Sequence, residues 1–263
     1  PDASVNNPSD TTITNGSTKY AVHLDSGGPY TVINAGIIKT EKSGSTSNIS
    51  AIEIDEVAVT TLTNTGTMSA IVTLVDGEGG AGVSGINIKT RYRDDEDEED
   101  AANASIGTLT NSNTISGTAK QNVFGIQLSA DSSTASASIT SLTNSGDISG
   151  TASNILGYGI QLNANNSNAS ITTLTNAEGG TISGTAETSS KGHGIYLNAY
   201  YAEASITTLT NSGTISGTAE TSEGYGIYIN PDSYGVVTIN TLTNTGTISG
   251  DTHDIKSQPS TVN

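Results

Sequence analysis

The sequence lacks several residue types on which folds of this size commonly depend. Its 263 residues contain no cysteine and no tryptophan, and only one phenylalanine and one methionine. The absence of cysteine excludes disulfide bonds and thiol chemistry, so stacking and hydrogen bonds have to hold the fold. Thr, Ser, Asn, Gly, Ile and Val dominate instead. These residues favour strands and turns over helices.

Basic residues are also scarce, with 9 Lys and Arg against 26 Asp and Glu and a net charge of −17. Nucleic acids and anionic membranes bind clustered Lys and Arg, so we expect neither as a partner. No apolar run approaches the roughly 18 residues of a membrane span, and no basic-then-apolar leader precedes Pro1. We therefore expect no membrane insertion, and an already processed chain if the protein is secreted.

The sequence does contain a repeat, written most clearly as TLTNSGTISGT followed by GYGIYLN. The asparagine of the TN or IN phrase marks each copy, and successive markers lie roughly 30 to 47 residues apart, a period typical of solenoids. A degenerate first copy is predicted at Asn15. The other markers are Asn34, Asn64, Asn111, Asn144, Asn176, Asn211 and Asn244.

Each copy reads as three short strands, clearest at residues 205–211, 214–217 and 226–230. We therefore predict an all-β fold, a parallel β-helix (β-solenoid) with three short strands per coil and about seven to eight coils. The solenoid is predicted over residues 11–250, between polar tails at 1–10 and 251–263. The spacing of three between Ile206 and Leu209 indicates a bend or a bulge. The predicted core comprises Ile206, Leu209, Ile215, Ile227, Ile229 and their equivalents.

Stacked coils place equivalent residues about 4.8 Å apart, so columns of like residues are informative. The asparagine column is predicted to form an internal ladder of side-chain amides that satisfies the turn backbone, rather than a ligand site. A second column is expected to pack inward or at a corner, and comprises Tyr20, Ser50, Ser84, Phe124, Tyr158, His193 and Tyr225.

A third column is expected to face solvent, and comprises His23, Glu53, Asn87, Gln127, Gln161, Tyr196 and Tyr228. Within it, Gln127, Gln161, Tyr196 and Tyr228 offer a lateral contact face for sugars or for a neighbouring chain. A merely solvated face is the alternative.

An acidic insertion, RYRDDEDEED at residues 91–100, interrupts the repeat. Seven consecutive acids repel one another unless a cation or a basic partner neutralises them. Calcium and a solvated loop both stay open, because the spacing matches no EF-hand or nonapeptide calcium motif. The residues of this calcium hypothesis are Asp94, Asp95, Glu96, Asp97, Glu98, Glu99 and Asp100.

The phrases LTNSGTISGTA and GYGIYLN resemble the repeats of bacterial autotransporter passengers and related surface adhesins, over roughly residues 11–250. The resemblance implies a right-handed parallel β-helix outside the cell, used for adhesion or aggregation. The alternating segments of a C-terminal membrane β-barrel are absent from the sequence, which departs from that family. We therefore expect a released passenger fragment or a free-standing secreted subunit.

Four functions are compatible with the sequence. The first is a non-enzymatic extracellular structural protein that self-assembles head to tail into a surface filament, sheath or layer, because neither end shows the amphipathic pattern of a cap. The second is an adhesin that binds glycans or another copy of itself. The third is a polysaccharide-degrading enzyme, which needs converging carboxylates; outside the acidic insertion only Glu53, Asp55 and Glu56 cluster. The fourth is ice binding, suggested by threonines at 110, 143, 175, 210 and 243.

Overall fold

A computed structural model describes residues 3–14, 19–43, 48–73, 82–91, 101–188, 191–232 and 234–258. The protein is a parallel β-solenoid whose 24 strands form three eight-stranded sheets. Every inner strand pairs in parallel with its equivalents in the preceding and following coils, and each edge strand pairs with one of them. None of the described residues lies in a helix, and accordingly no membrane-spanning helix occurs among them.

Along the chain the strands alternate among the three sheets, which we call A, B and C. Sheet A contains β1 (Ala3–Asn7), β4 (Tyr30–Asn34), β7 (Ala58–Asn64), β10 (Ala104–Asn111), β13 (Ala137–Asn144), β16 (Ala169–Asn176), β19 (Glu203–Asn211) and β22 (Val236–Asn244). Sheet B contains β2 (Thr12–Thr14), β5 (Ile37–Ser43), β8 (Thr67–Thr73), β11 (Thr114–Ala119), β14 (Asp147–Ala152), β17 (Thr181–Ala186), β20 (Thr214–Ala219) and β23 (Thr247–Gly250). Sheet C contains β3 (Tyr20–Leu24), β6 (Ile49–Asp55), β9 (Val83–Thr90), β12 (Val123–Ala130), β15 (Gly157–Ala164), β18 (Gly192–Ala199), β21 (Gly224–Pro231) and β24 (His253–Ser257).

The predicted fold class is confirmed, with eight strands in each sheet corresponding to eight coils. The core is a continuous column of aliphatic side chains contributed by all three sheets. Ile206, Leu209, Ile215 and Ile227 have no exposed surface, as predicted. Ile229 is only half-buried, because its partner in the terminal strand β24 is the small residue Ser257.

The spacing of three between core residues of sheet A reflects an interruption in the strand pairing. The residue between Ile206 and Thr208 is skipped in the register, and the same position is skipped in the neighbouring coils. Sheet C has an equivalent interruption at Gly125, Gly159 and Gly194, before the inward-facing isoleucines. A break in pairing changes the alternation of side chains, so residues on its two sides no longer follow one period of two.

A second, smaller apolar cluster lies between the ends of sheet B strands and the beginnings of sheet C strands; it contains Ile49, Ala70, Val72, Val83, Ala119, Val123 and Ala152. Small residues allow this close approach. A Cβ atom added to Gly150 would come within 2.2 Å of the Tyr158 carbonyl oxygen. The glycine of the SGTA phrase therefore allows the backbones of sheets B and C to approach closely.

The solenoid strands extend beyond the range predicted for them. Strand β1 lies within the segment predicted as an N-terminal tail, and it pairs with β4 over its whole length. Strand β24 lies within the predicted C-terminal tail, and it pairs with β21. Both segments join the sheets although their sequences lack the repeat phrase, because an open strand edge offers backbone donors and acceptors to any extended segment.

Candidate functional site

The asparagine column forms a continuous chain of side-chain hydrogen bonds through the solenoid. Each Nδ2 donates to the Oδ1 of the asparagine one coil further along, at 2.7 to 2.9 Å. The Nδ2 of Asn176, for example, also lies 3.1 Å from the carbonyl oxygens of both Gly180 and Thr214. Carbonyl acceptors at this position fix the nitrogen end of the amide, so the ladder has one direction. Its members are Asn7, Asn34, Asn64, Asn111, Asn144, Asn176, Asn211 and Asn244.

The first member of this ladder is Asn7. The first copy predicted from the sequence, at Asn15, lies outside the described residues. Asn7 was missed because Pro8 follows it where the other copies have Ser-Gly or a similar pair. The Thr11 hydroxyl donates to the Asn7 Oδ1 at 2.5 Å, and this contact supplies a donor that a preceding coil would otherwise provide.

The aromatic column packs against the column that was expected to face solvent. The ring centroids of Tyr158 and Tyr196 lie 4.9 Å apart, and those of Tyr196 and Tyr228 lie 5.4 Å apart. Gln161 and Tyr228 are buried, while Gln127 and Tyr196 are half-buried. Within this column His23 is exposed as expected, but the expectation of a solvent-facing column is wrong for the other members, which are buried or half-buried.

These side chains are covered because strand pairing is interrupted at the glycine of sheet C. The interruption brings the aromatic column onto the same side of the sheet as the column that was expected to face solvent. Adjacent coils are also joined along the column, since the Nε2 of Gln127 donates to the Oε1 of Gln161 at 3.0 Å. Both columns thus form one packed outer layer of sheet C. A lateral contact through Gln127, Gln161, Tyr196 and Tyr228 stays a prediction.

His193 lies within this aromatic layer, and its side chain has no exposed surface. Its ring stacks between those of Tyr158 and Tyr225, at centroid distances of 5.4 and 5.1 Å. Neither ring nitrogen has a hydrogen-bond partner. Burial lowers the pKa of the His193 imidazole to about 4, and the Gly192 backbone offsets only part of this effect. The side chain therefore acts as a neutral aromatic ring at neutral pH.

Charged side chains converge on the outer face of sheet C in the first coils. Glu53 on β6 is fully buried, and its Oε1 lies 2.5 Å from the Lys89 ammonium on β9. Its Oε2 accepts hydrogen bonds from the Nδ2 of Asn87 at 3.1 Å and from the Ser50 hydroxyl at 3.4 Å. A buried carboxylate is tolerated only with such compensation.

Asp55 forms the second half of this charged cluster. Its Oδ2 accepts a hydrogen bond from the Arg91 guanidinium and lies 3.7 Å from the Nε2 of His23. The hydrogen bond to Asp55 raises the pKa of Arg91, although partial burial opposes it. Burial, aided by the nearby carboxylates Glu53 and Asp55, raises the pKa of the Tyr20 hydroxyl. The Asp55 Oδ1 is itself buried without a hydrogen-bond partner.

His23, Glu53 and Asp55 are the residues that would hold a metal ion here, since one ligand atom from each lies within 4.8 Å of the others. A divalent cation would have to enter beside Lys89 and Arg91, which already balance the two carboxylates. Acid–base catalysis also requires a carboxylate that a substrate reaches, whereas Glu53 and Asp55 are both buried. The arrangement is best suited to holding the first coils together.

Glu53 and Asp55 are recognisable in the sequence as an acidic cluster, but their basic partners are not. Alignment of the repeats could have found these, because Glu53 shares a column with His23, and Asp55 pairs in register with Lys89. The acidic run from Asp94 to Asp100, predicted as a calcium site or a solvated loop, lies outside the described residues.

Comparison with protein-family models, with curated proteins and with solved structures finds no match to this chain. Its three parallel sheets and repeated coils classify it as a β-solenoid by architecture.

Proposed function

We propose that this protein is a non-enzymatic structural protein of the cell surface, whose solenoids associate head to tail into a filament, sheath or layer. The observation that carries the proposal is the exposure of core positions in the last coil. Leu242 and Ile255 are 39% and 44% exposed. Their partners one coil earlier, Leu209 and Ile227, are fully buried. A further coil seated on this surface would bury the same columns again.

The opposite end offers a matching surface. Strands β1, β2 and β3 form the outer edges of the three sheets there, and Val5 and Ile13 are packed against the core but only partly buried. The edge strands at both ends carry backbone donors and acceptors in the spacing of a parallel sheet. Both ends therefore present parallel strand edges beside partly buried aliphatic side chains, and one end can seat on the other.

The asparagine ladder adds a direction to this complementarity. Among the described residues Asn244 is the last member of the ladder, and its Nδ2 donates to the Gly246 carbonyl oxygen at 3.3 Å. At the first coil the Asn7 Oδ1 accepts from one hydroxyl and retains a second lone pair. Donor and acceptor ends match only when molecules stack in the same direction. Such a contact does not close on itself unless a ring forms, so it propagates.

Two further features support the non-enzymatic and surface parts of the proposal. The clustered carboxylates Glu53 and Asp55 are buried and paired with basic groups. An acidic, cysteine-free repeat similar to autotransporter passengers suits a protein outside the cell.

Light scattering after size exclusion, together with negative-stain microscopy, tests the assembly. Intact protein is expected to form regular polymers as its concentration rises, and Ile255→Arg is expected to abolish them by placing a charge on the terminal surface. Ile33→Arg is the matched control, since Ile33 is 45% exposed but lies on β4, between two paired strands. A monomeric intact protein at high concentration, or equal loss of polymer in both variants, would overturn the proposal.

A further inference from the structure

The turns that join sheet C to sheet A form a second row of residues along the side of the solenoid. They follow the paired positions Ala130, Ala164, Ala199 and Pro231, which align coil by coil. The turns stack through their backbone, since the amide of Tyr200 donates to the Ala164 carbonyl oxygen at 2.9 Å. Side chains at the same place in successive turns are therefore neighbours.

These turns differ in composition from one coil to the next. The first two positions are Asp131 and Ser132 in one coil, Asn165 and Asn166 in the next, and Tyr200 and Tyr201 in the third. The flanking strands, by contrast, repeat almost unchanged. The sheets do not require these particular side chains, because each turn keeps its backbone contacts with a different composition.

Three tyrosines in these turns are unusually exposed. Tyr200, Tyr201 and Tyr234 are 43%, 55% and 72% exposed. Tyr201 stacks on Tyr234 with a centroid distance of 5.5 Å, and Tyr200 meets Tyr201 edge to face at 4.2 Å. Solvent-facing aromatic rings held in fixed mutual geometry are typical of binding surfaces, because they offer a large contact area at small entropic cost.

A groove of about 680 Å³ lies beside these rings. Tyr200 and Tyr201 line it together with Asp131, Asn165 and Asn166, and its other wall is formed by Asn48, Lys89, Thr90 and Arg91. The two cations of this wall are already paired, Lys89 with Glu53 and Arg91 with Asp55, so they do not call for an anionic ligand. The Asn165 Nδ2 donates to the Asp131 Oδ1 at 2.6 Å, and the Asn166 Nδ2 donates to the Asp131 carbonyl oxygen at 2.9 Å. These bonds hold the amides in place while their carbonyl oxygens remain available as acceptors.

We propose that this groove, which we call the tyrosine groove, binds a neutral oligosaccharide of the hexopyranose type. A pyranose ring has an apolar C–H face, which would lie against a tyrosine ring. Its rim of hydroxyl groups would donate to the amide oxygens of Asn165 and Asn166. The groove lies on the side of the solenoid and not at its ends, so this proposal is independent of head-to-tail assembly.

Other occupants fit the tyrosine groove less well. A nucleic acid would meet a chain with 26 acidic and 9 basic residues. An extended peptide that adds to a sheet needs an open edge, and the strands beside the groove are paired on both sides. A lipid tail would lie against Asp131, Asn165 and Asn166 and leave these polar groups without partners.

Titration with hexamers of β-1,4-linked glucose and of β-1,4-linked N-acetylglucosamine tests the proposal, followed by calorimetry and by tyrosine fluorescence. Binding of at least one hexamer is expected. The double variant Tyr200→Asn/Tyr201→Asn removes both lining rings and is expected to lower the affinity about tenfold or more, as removal of aromatic contacts in binding sites does. Asn is the residue of the preceding coil at both positions, so the turn should fold.

Ile37→Thr is the matched control, because Ile37 is 42% exposed, Thr67 occupies the equivalent position in the next coil, and neither residue lines the tyrosine groove. This variant should bind sugar as the unchanged protein does. Absence of binding to both hexamers at millimolar concentration overturns the proposal, as does equal binding by the double variant. If the double variant alters self-association instead, the surface is an interface between copies and the sugar proposal fails.

Discussion

Two of the turns in each coil differ in how constant their residues are from one coil to the next. The turn between sheets A and B carries the ladder asparagine, and its side chain is buried in the coils from Asn34 to Asn211. The turn between sheets C and A carries Asp, Asn or Tyr, with side chains such as Asn166 and Tyr201 exposed. The first turn repeats because its side chain completes the hydrogen bonding of the next coil. The second turn varies in composition, because its backbone contacts between coils are kept whichever side chains it carries, and a binding surface can occupy it.

Asn176→Asp is expected to produce the largest loss of stability among the following changes. Aspartate cannot donate the bonds that Asn176 makes to Asn211, Gly180 and Thr214, and its charge would be buried between two amides. We expect the free energy of unfolding to fall by about 3 kcal/mol or more at neutral pH. Urea unfolding followed by circular dichroism measures the change.

The same substitution in the other turn is its control. Asn166→Asp removes one hydrogen bond, to the Asp131 carbonyl oxygen, but the bond and the new charge are both exposed, so a loss of about 1 kcal/mol or less is expected. Equal effects of the two substitutions would break the comparison between the turns.

His193 departs from the repeat inside a packed layer, so its effect on stability tests whether such a departure is tolerated there as it is in the exposed turn. Equivalent positions carry Tyr158 and Tyr225, and the groups that face the imidazole are these rings with Tyr196 and Tyr228, while Lys191 and Glu223 act on it through space. The pKa is lowered from 6.5 to about 4, so stability should be complete above about pH 6.5 and decline as the pH falls toward 4.

At about pH 4 the loss in the free energy of unfolding that is attributable to His193 should reach about 3 kcal/mol. Thermal unfolding measured across this pH range should show it. His193→Phe restores the aromatic side chain found at Phe124, and it should unfold with less dependence on pH. An unchanged pH profile in that variant would indicate that other groups cause the acid sensitivity.

Tyr201→Asn should have the smallest effect on stability, within about 0.5 kcal/mol, because more than half of the Tyr201 side chain is exposed. Differential scanning calorimetry of this variant beside the unchanged protein is the measurement. A large loss would mean that the variable turn also supports the fold, which would weaken the distinction between the two turns.

The repeat made most of the architecture predictable. Local alternation identified the strands, and the recurrence of the same pattern required stacking, so the aliphatic core around Ile206 and Leu209 followed directly. The first coil was harder to find, because Asn7 lacks the surrounding phrase and joins the ladder only through pairing of β1 with β4. Pairing at the edge of a sheet depends on backbone hydrogen bonds, which many different side chains allow, so it is hard to predict from the sequence.

The surface was less predictable than the core. Alternation placed Gln161 and Tyr228 in solvent, whereas both are buried, because the skipped glycine position in sheet C brings the aromatic column against them. The charged cluster joins Glu53 and Asp55 on one strand to Lys89 on the next coil. Their separation along the chain hid an ion-pair network that stacking brings together.

By itself the sequence determined the parallel solenoid, its three strands per coil and the columns of equivalent residues, since these follow from a pattern repeated at a constant period. The tertiary structure alone decided which departures from that pattern are buried and which are exposed. His193 and Glu53 lie within packed layers, while Tyr201 and Tyr234 project into solvent. The physical reason is that burial depends on contacts between residues one coil apart and on the local bends of the backbone, and neither is encoded in the period.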